Sequence, residues 1–329
     1  MAFGEDRLGE VVGGRYVLRS VVGKGGQSVV YRAKDQVDGD EVAVKVVHRG
    51  NEDGVERLFR EAHALVLLSG TAALRVLHQT TAEDGAACLV TELLHGQDLA
   101  ERLREFEDEG GRMSIPEILT TFEPIVKTLT AAHELGLVHR DIKPENIFIV
   151  HPAYGGGVRL LDFGFIRFLH RRRQTSPGMI AGSPSYLAPE IWSGQEEFDE
   201  RVDIYSLAVV LYRALAGEPP FCGDVRQILL KALHAERPSL HAVRPDLPPV
   251  IDDWVKAALA IDPDQRFQRV SALWNALRAC LDVRRHSLAP PSRHRDTDPP
   301  DTLSEAPPMT VRMPRVDEEE DDDFDPEVR

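Results

Sequence analysis

Residues 139–146 read His-Arg-Asp-Ile-Lys-Pro-Glu-Asn, a polar octet in which only Ile142 and Pro144 are apolar. Asp141 stands two residues before Lys143 and five before Asn146. The octet directly follows a segment with a helix signature. Ser114 is a good N-cap, with Pro116 just inside the start and Glu117 at the capping-box position. From Ile115, the apolar residues Ile118, Leu119, Phe122, Ile125, Val126 and Leu129 form one continuous stripe, so this helix is expected to be buried along one face. On the other side of the octet, Leu161-Asp162-Phe163-Gly164 follows a short strand-like run, and Ala188-Pro189-Glu190 comes later.

Toward the N-terminus the chain reads as short strands. Tyr16–Val22, Val29–Lys34 and Glu41–Val47 are rich in Val and Tyr and bounded by Gly, Asp or polar turns. Val55–Leu68 repeats Leu58, Ala62 and Leu65 at helical spacing. Two more strands are expected near Leu74–Gln79 and Ala86–Thr91. Between the first two strands lies VVGKGGQSVVY, residues 21–31, whose Gly23 and Gly25 would let the backbone turn tightly and bring N–H groups against phosphate oxygens. A plain glycine-rich hairpin would read the same way. On the third strand, Val42-Ala43-Val44-Lys45 places Ala43 and Lys45 on one face. Ala43 leaves room for a flat base and Lys45 can reach phosphates, although a snorkelling surface lysine fits that position too. Glu61, 16 residues on, would pair with Lys45 unless it is a solvated helix glutamate. Toward the C-terminus the pattern is helical, with a helix beginning near Asp203 that Gly217, Pro219 and Pro220 end, then Asp224–Ala235, Pro249–Ala260 and Val270–Leu281. Strands first and helices second make an α+β protein of two lobes.

With these pieces in order, the chain resembles the eukaryotic-type (Hanks-type) serine/threonine protein kinases, and its GKGGQS loop is similar to that of bacterial members. Asn146 precedes Asp162 by 16 residues and Asp162 precedes Glu190 by 28. The resemblance covers about Tyr16 to Leu281 and implies the bilobal protein-kinase fold, with a small β-rich N-lobe carrying one helix and a larger, mostly helical C-lobe. It implies an enzyme that moves the γ-phosphoryl group of ATP onto protein Ser or Thr hydroxyls, with Mg²⁺ and Mn²⁺ as the alternative metal. Asp141, Lys143, Asn146 and Lys45 would be the catalytic set, and Asn146 and Asp162 the metal ligands. The nucleotide would be covered by Gly23, Lys24, Gly25, Gly26, Gln27, Ser28 and Val30, and held by Ala43, Lys45, Glu61, Thr91, Glu92, Leu94, Asp98 and Phe148. Thr91 takes the gatekeeper place, the backbone of Glu92 and Leu94 would bond adenine, and Phe148 would close the pocket from below. Leu65, Phe163 and His139 resemble the packed column between the lobes, so His139 is structural and not a base. Glu190 with Arg266 resembles the buried ion pair after the activation loop, and Asp203 the aspartate that braces the catalytic loop. Arg140 and the loop hydroxyls Thr175 and Ser176, behind Arg171-Arg172-Arg173, resemble the phosphorylation switch of the family, with a transient homodimer for autophosphorylation in trans.

The residue types suit that chemistry. ATP brings several negative charges, and Mg²⁺ needs hard oxygen ligands, which a carboxylate and an amide oxygen supply. Asp141 would accept a hydrogen bond from the incoming hydroxyl, and a positioned base is worth about 10²–10⁴-fold in rate. Lys143 in the octet is the Ser/Thr form. Departures from the pattern are Ser28 for the third glycine, Ser183 for the usual threonine, and Ala208. Two rivals are a catalytically inactive pseudokinase scaffold and a small-molecule kinase of related fold; the first would lack one of the four charged or amide groups, the second the Ala-Pro-Glu segment.

Composition sets the remaining bounds. The 329 residues carry a net charge of −15 with a pI near 5.3, which argues against a nucleic-acid partner. Cys88, Cys222 and Cys280 are an odd, scattered set, read as reduced thiols in a cytoplasmic protein. No signal peptide and no membrane span are legible, so a soluble protein without membrane partners is expected. The expected domains are an N-terminal extension at 1–15, a kinase domain at 16–282 (N-lobe about 16–92, C-lobe about 95–282) and a tail at 283–329. From Leu281 onward there are 14 acidic and 7 basic residues, with repeated prolines and the run DEEEDDD at 317–323. Such a segment buries too little apolar surface to offset its conformational entropy, so the tail is predicted to be disordered.

Overall fold

The computed structural model describes residues 7–25, 28–47, 50–163, 184–193 and 198–287. Strands β1 (Val11–Val12), β2 (Tyr16–Lys24), β3 (Ser28–Asp35) and β4 (Glu41–Val47) lead to helix α1 (Glu52–Leu67), then β5 (Val76–Thr81) and β6 (Ala87–Glu92). Among the described residues these strands make an antiparallel sheet in the order β1-β2-β3-β4-β6-β5. Alternation decides its faces. Val29, Tyr31 and Ala33 on β3 and Val42, Val44 and Val46 on β4 are buried in one apolar cluster, while Val30, Ala43 and Lys45 on the other face stay half-buried.

The sheet curls until its two edges meet. Gly13 donates its N–H to the Thr81 carbonyl at 3.2 Å, Arg7 pairs with Asp84, and the Tyr16 and His78 rings lie 5.9 Å apart. Gly13 has φ +60°, and a Cβ there would sit 2.3 Å from Thr80 Oγ1, so the seam excludes larger residues. Packed structure therefore begins before the expected boundary at residue 16: Val12 is fully buried, and β1 pairs with β2. Covering β5 in this way also removes an open strand edge.

Helix α1 starts at Glu52, three residues before the predicted Val55. Asn51 caps it by accepting from the Gly54 N–H, and Glu52 and Asp53 complement the helix dipole. Leu58 and Ala62 pack on the sheet. Ala64, Leu65 and Leu68, one turn on, belong to the large apolar cluster of the helical lobe. One helix thus joins the two cores, and Glu61 sits in the part of it that packs on the sheet, next to Ala62.

A second, three-stranded sheet lies where the lobes join: β7 (Gly96–Asp98), β8 (Ile147–Val150) and β9 (Val158–Leu160), in that order. Between β7 and β8 run α2 (Leu99–Asp108) and α3 (Ile115–Glu134). The α3 capping box is present, with the Ser114 hydroxyl accepting from Glu117 N–H and Glu117 accepting from Ser114 N–H. The predicted apolar stripe faces inward, with Ile118, Phe122, Ile125 and Leu129 fully buried. After β9 come α4 (Pro189–Trp192), α5 (Arg201–Ala216), α6 (Val225–His234), α7 (Leu240–Val243), α8 (Ile251–Ala258) and α9 (Val270–Ser287). Helix α5 is apolar nearly all round and buried along its length, which makes it the axis of this lobe. Each fully buried Leu, Ile or Phe there contributes roughly 1.5–3 kcal/mol. Gly217 ends α5 at φ +87°, where a Cβ would meet the Gly111 carbonyl at 2.9 Å. Helix α9 continues past the predicted Leu281 to Ser287, and Trp274 fastens it to α3 by donating to Glu123 at 2.5 Å.

Candidate active site

The octet is built from below by Asp203, in the first turn of α5 and fully buried. Its carboxylate accepts from the His139 N–H at 2.8 Å and the Arg140 N–H at 2.7 Å. His133, in the last turn of α3, donates to the same carboxylate at 2.9 Å. To aim two successive N–H groups at one carboxylate the chain must turn sharply, and Arg140 adopts φ +65°. A non-glycine residue in that region is strained, and the buried carboxylate is what holds it there.

Three side chains of the octet then converge. Lys143 Nζ lies 2.7 Å from Asp141 Oδ2, and Asn146 Nδ2 donates to the Asp141 backbone carbonyl at 2.8 Å and to its Oδ2 at 3.0 Å. His139 is fully buried. It accepts from the Asp141 N–H on Nδ1 and donates from Nε2 to the Leu161 carbonyl at 2.9 Å. Burial lowers its pKa and keeps the ring neutral. Its centroid is 4.6 Å from that of Phe163, which shares one buried cluster with Leu65. His139 thus ties the octet to the strand ahead of Asp162.

Asp162 is the other non-glycine residue with positive φ among the described residues, at +49°. Its carboxylate meets Lys45 Nζ at 2.9 Å, and Lys45 also reaches both Glu61 oxygens at 3.0 and 2.8 Å. Burial alone would drive the lysine toward its neutral form. The two carboxylates overcome that, and the Lys45 pKa is raised. Glu61, the more enclosed acid, is raised by burial despite Lys45. Burial would raise Asp162 as well, but Lys45 holds it below the usual carboxylate range.

The remaining predicted residues are distributed as follows. Gly23 pairs opposite Val30, and the Gly25 N–H donates to the Ser28 carbonyl at 2.8 Å, closing a tight turn. Neither glycine has positive φ, so backbone freedom is not what they provide. A Cβ at Gly23 would meet nothing within 4 Å, so its bare backbone leaves open space beside the loop. Gly26 and Gln27 lie outside the described residues, as do Thr175, Ser176, Ser183 and the tail beyond Ser287. Thr91 is buried and stands opposite Ala43 in the sheet. The Glu92 N–H is committed to the Arg75 carbonyl at 3.0 Å, and its carbonyl accepts from the Thr91 hydroxyl at 3.3 Å, which leaves the second lone pair of that carbonyl for a base. Leu94 is in the extended link between β6 and β7. Asp98 caps α2 by accepting from the Glu101 N–H at 2.8 Å, a structural duty beyond the one expected. Phe148 is half-buried on β8, opposite Asp98 and Arg159. Glu190 and Arg266 form the expected buried pair, joined at 2.6 and 2.7 Å.

A divalent cation fits this arrangement. Both Asn146 Nδ2 bonds run to Asp141, which leaves Oδ1 turned away and available. Asp162 gives only Oδ1 to Lys45 and is half exposed. No group of three or more His, Cys, Asp or Glu side chains among the described residues could enclose a metal. The cation would therefore be shared with phosphate oxygens and water, as suits Mg²⁺.

The sequence reading missed His133, whose only signal is a polar residue one turn after the buried Leu129. It also missed the ion pair between Arg159 on β9 and Glu92 at the end of β6, 2.8 Å apart.

Residues 16–276 match the protein kinase domain family. The chain is 36% identical over 274 residues to the serine/threonine-protein kinase PknL of Mycobacterium tuberculosis, covering 82% of this chain and 66% of PknL. It is 33% identical over 302 residues to PknA of the same species, covering 89% and 66%, and 31% identical to PrkC of Bacillus subtilis, covering 84% and 42%. It thus spans about two thirds of the length of PknL and PknA and less of PrkC. The crystal structure of the M. tuberculosis PknI kinase domain superposes with a TM-score of 0.63 at 25% identity, covering 83% of this chain and 98% of that one. With the family matched over most of its length and the octet, Lys45, Glu61 and Asp162 gathered in one cleft, the chain belongs to the protein kinase family.

Proposed function

We propose that this chain transfers the γ-phosphoryl group of ATP to Ser or Thr hydroxyls of proteins. The observation that carries the reading is Lys45, a single ammonium held between Glu61 on α1 and Asp162 after β9. A lysine gripped from both lobes is positioned for a phosphate and not for solvent. Asp141 accepts the hydrogen bond of the incoming hydroxyl and aligns it. Lys143, already against Asp141 Oδ2, moves onto the phosphate oxygens as charge develops there. Asn146 Oδ1 and the half-exposed Asp162 carboxylate would hold Mg²⁺, which when bound neutralises phosphate charge. The backbone of Gly23–Gly25 and Ser28 would cover the phosphates, and Ala43, Val30 and Phe148 would enclose the base. Alignment and fixed charge then supply most of the acceleration.

The reading extends to control. Arg140 lies beside the site, its guanidinium 5.2 Å from the Phe198 ring centroid, and Thr175, with Ser176 second, follows three arginines. A phosphate at Thr175 would add about −1.5 to −2 charges and accept paired hydrogen bonds from arginine, which orders a segment. Modification in trans by a second copy supplies it. No helix among the described residues is long and apolar enough to cross a membrane, and the three cysteines are unbridged; both fit a kinase domain working in the cytoplasm.

The test uses radiolabelled ATP, Mg²⁺ and a generic protein substrate, with phosphoamino-acid analysis of the product. Label on Ser or Thr of the protein supports the reading; binding of ATP without transfer would make the chain a scaffold. For control, wild type, its phosphatase-treated form and Thr175→Ala are compared with peptide mapping. A dephosphorylated enzyme that stays fully active without regaining phosphate refutes the switch.

A further inference from the structure

Two salt bridges among the described residues join the sheet of the N-lobe to the run that follows β8. One is Lys45 with Asp162. The other is Arg159 with Glu92: Arg159 Nε donates to Glu92 Oε1 at 2.8 Å and Nη2 approaches Oε2 at 3.5 Å. The two lower partners are three residues apart, Arg159 within β9 and Asp162 just after it, with opposite charges, and each grips an upper side chain of opposite sign. The first bridge belongs to the phosphate end of the cleft. The second has no place in the chemistry described above.

Its surroundings define its work. Glu92 ends β6, at the point where the chain leaves the N-lobe sheet for the link to β7. Its carboxylate also accepts the Arg75 N–H at 2.9 Å, and its own N–H donates to the Arg75 carbonyl. The carboxylate is 14% exposed and Arg159 31%, so the pair is largely sheltered. Arg159 on β9 stands opposite Phe148 of β8 in register, and its own Nη1 donates back to the Val158 carbonyl at 3.0 Å. The same strand grips the segment before β5 by main chain: Leu160 N–H to Ala72 carbonyl at 2.7 Å and Leu74 N–H to Leu160 carbonyl at 3.1 Å. Arg159 is thus the side-chain bolt between the floor of the base pocket (Phe148) and its back wall (Glu92).

We infer that Arg159 is a positioning residue for nucleotide binding: through Glu92 it fixes the strand end whose carbonyl meets the base, and so sets ATP affinity and not the rate of transfer. This rests on the reading of the cleft as an ATP site. A charge-assisted, forked pair is geometrically specific, and losing it lets the β6 end and Phe148 move independently.

The experiment combines calorimetric titration with MgATP, which does not require transfer, with steady-state kinetics on a peptide. Arg159→Met should weaken ATP binding and raise KM for ATP about tenfold, equivalent to about 1.4 kcal/mol, with kcat within about twofold. Arg159→Lys should recover most of the loss. Glu92→Gln, a near-isosteric change, should reproduce the Arg159→Met effect, and the double variant should be no worse than either single one. A kcat loss with unchanged ATP affinity, or additive losses in the double variant, overturns the inference. Because binding is read separately, a wild type that binds ATP but transfers nothing refutes the catalytic reading alone.

Discussion

Asp141, half-buried, and Asp162, half exposed, are two carboxylates of the cleft, and they are fastened in different ways. Asp141 is held from within one lobe. Its loop hangs on Asp203 of α5 and His133 of α3, and its carboxylate is fixed by Lys143 and Asn146 a few residues away. Asp162 is held from across the cleft, by Lys45 of β4, which Glu61 of α1 holds in turn. The first arrangement persists whatever the N-lobe does. The second exists only while α1 and β4 sit where they do now. On the proposed function, the group that would orient the acceptor is therefore built into the scaffold, whereas the group that would meet the phosphates is assembled by the relation of the lobes. That is where control can enter without disturbing the base.

The largest effect should come from Asp141→Asn, which keeps the shape and the contacts of the side chain while removing its charge. Phosphotransfer should fall about 10²–10⁴-fold, with thermal unfolding nearly unchanged. Retention of more than about a tenth of the activity would show that Asp141 is not the aligning group.

Next is Lys45→Met, with a loss of about 10²-fold or more. It should also leave a signature that Asp141→Asn lacks. Burial already raises the Glu61 pKa above its ordinary 4.5, and without Lys45 it must rise further, while Asp162 loses the cation that lowers it. A carboxyl whose folded pKa exceeds its unfolded one stabilises the fold only while protonated. That stability is present below pH 4.5 and lost as pH rises through the folded value. Urea denaturation should therefore show the deficit of Lys45→Met growing from acid toward neutral pH. A deficit independent of pH would mean that Lys45 does not hold the two acids.

The legibility of these two arrangements in the sequence differs for a physical reason. On the proposed function, phosphoryl transfer would restrict the residue types allowed at Asp141, Lys143, Asn146, Asp162 and Lys45, and their spacing, so those positions stand out. Supporting groups are less restricted. His133 looks like any histidine near a helix end, and Arg159 like any alternating strand residue. Strand β1 is two residues long and carries no periodicity, which is why the packed region before Tyr16 was not legible. The early start of α1 is set by the Asn51 cap, a signal that Gly54 inside the first turn conceals. Asp203 was legible from its place in the family pattern, but its reach to two backbone N–H groups was not.

Asp203→Asn tests the scaffold half. The amide keeps one acceptor oxygen but turns an N–H₂ toward one of the two backbone N–H groups, leaving it buried and unsatisfied. The expected cost is about 1–3 kcal/mol of stability, together with a fall in kcat of about tenfold, because the loop is then free to relax from φ +65° at Arg140. KM for ATP should hardly change, since Lys45 and Glu61 are untouched. If ATP affinity falls as much as kcat, the two halves are not independent and the contrast fails.

His133→Phe should have the smallest effect and tests how the scaffold shares its load. It removes one hydrogen bond to Asp203 Oδ2, at 2.9 Å, while the His139 and Arg140 N–H groups remain to satisfy the same carboxylate. One hydrogen bond lost to a carboxylate that keeps two others should cost about 1.5 kcal/mol, the low end for a charged acceptor, read as a small shift in the urea midpoint. The kcat should fall by no more than about threefold, since Arg140 keeps the bond that imposes its turn. His133→Gln, whose amide N–H can reach the same oxygen, should restore stability and rate together. A phenylalanine variant as slow as Asp203→Asn would mean that α3, and not α5, sets the orientation of Asp203. The loop of Asp141 would then be strung between two helices instead of standing on one.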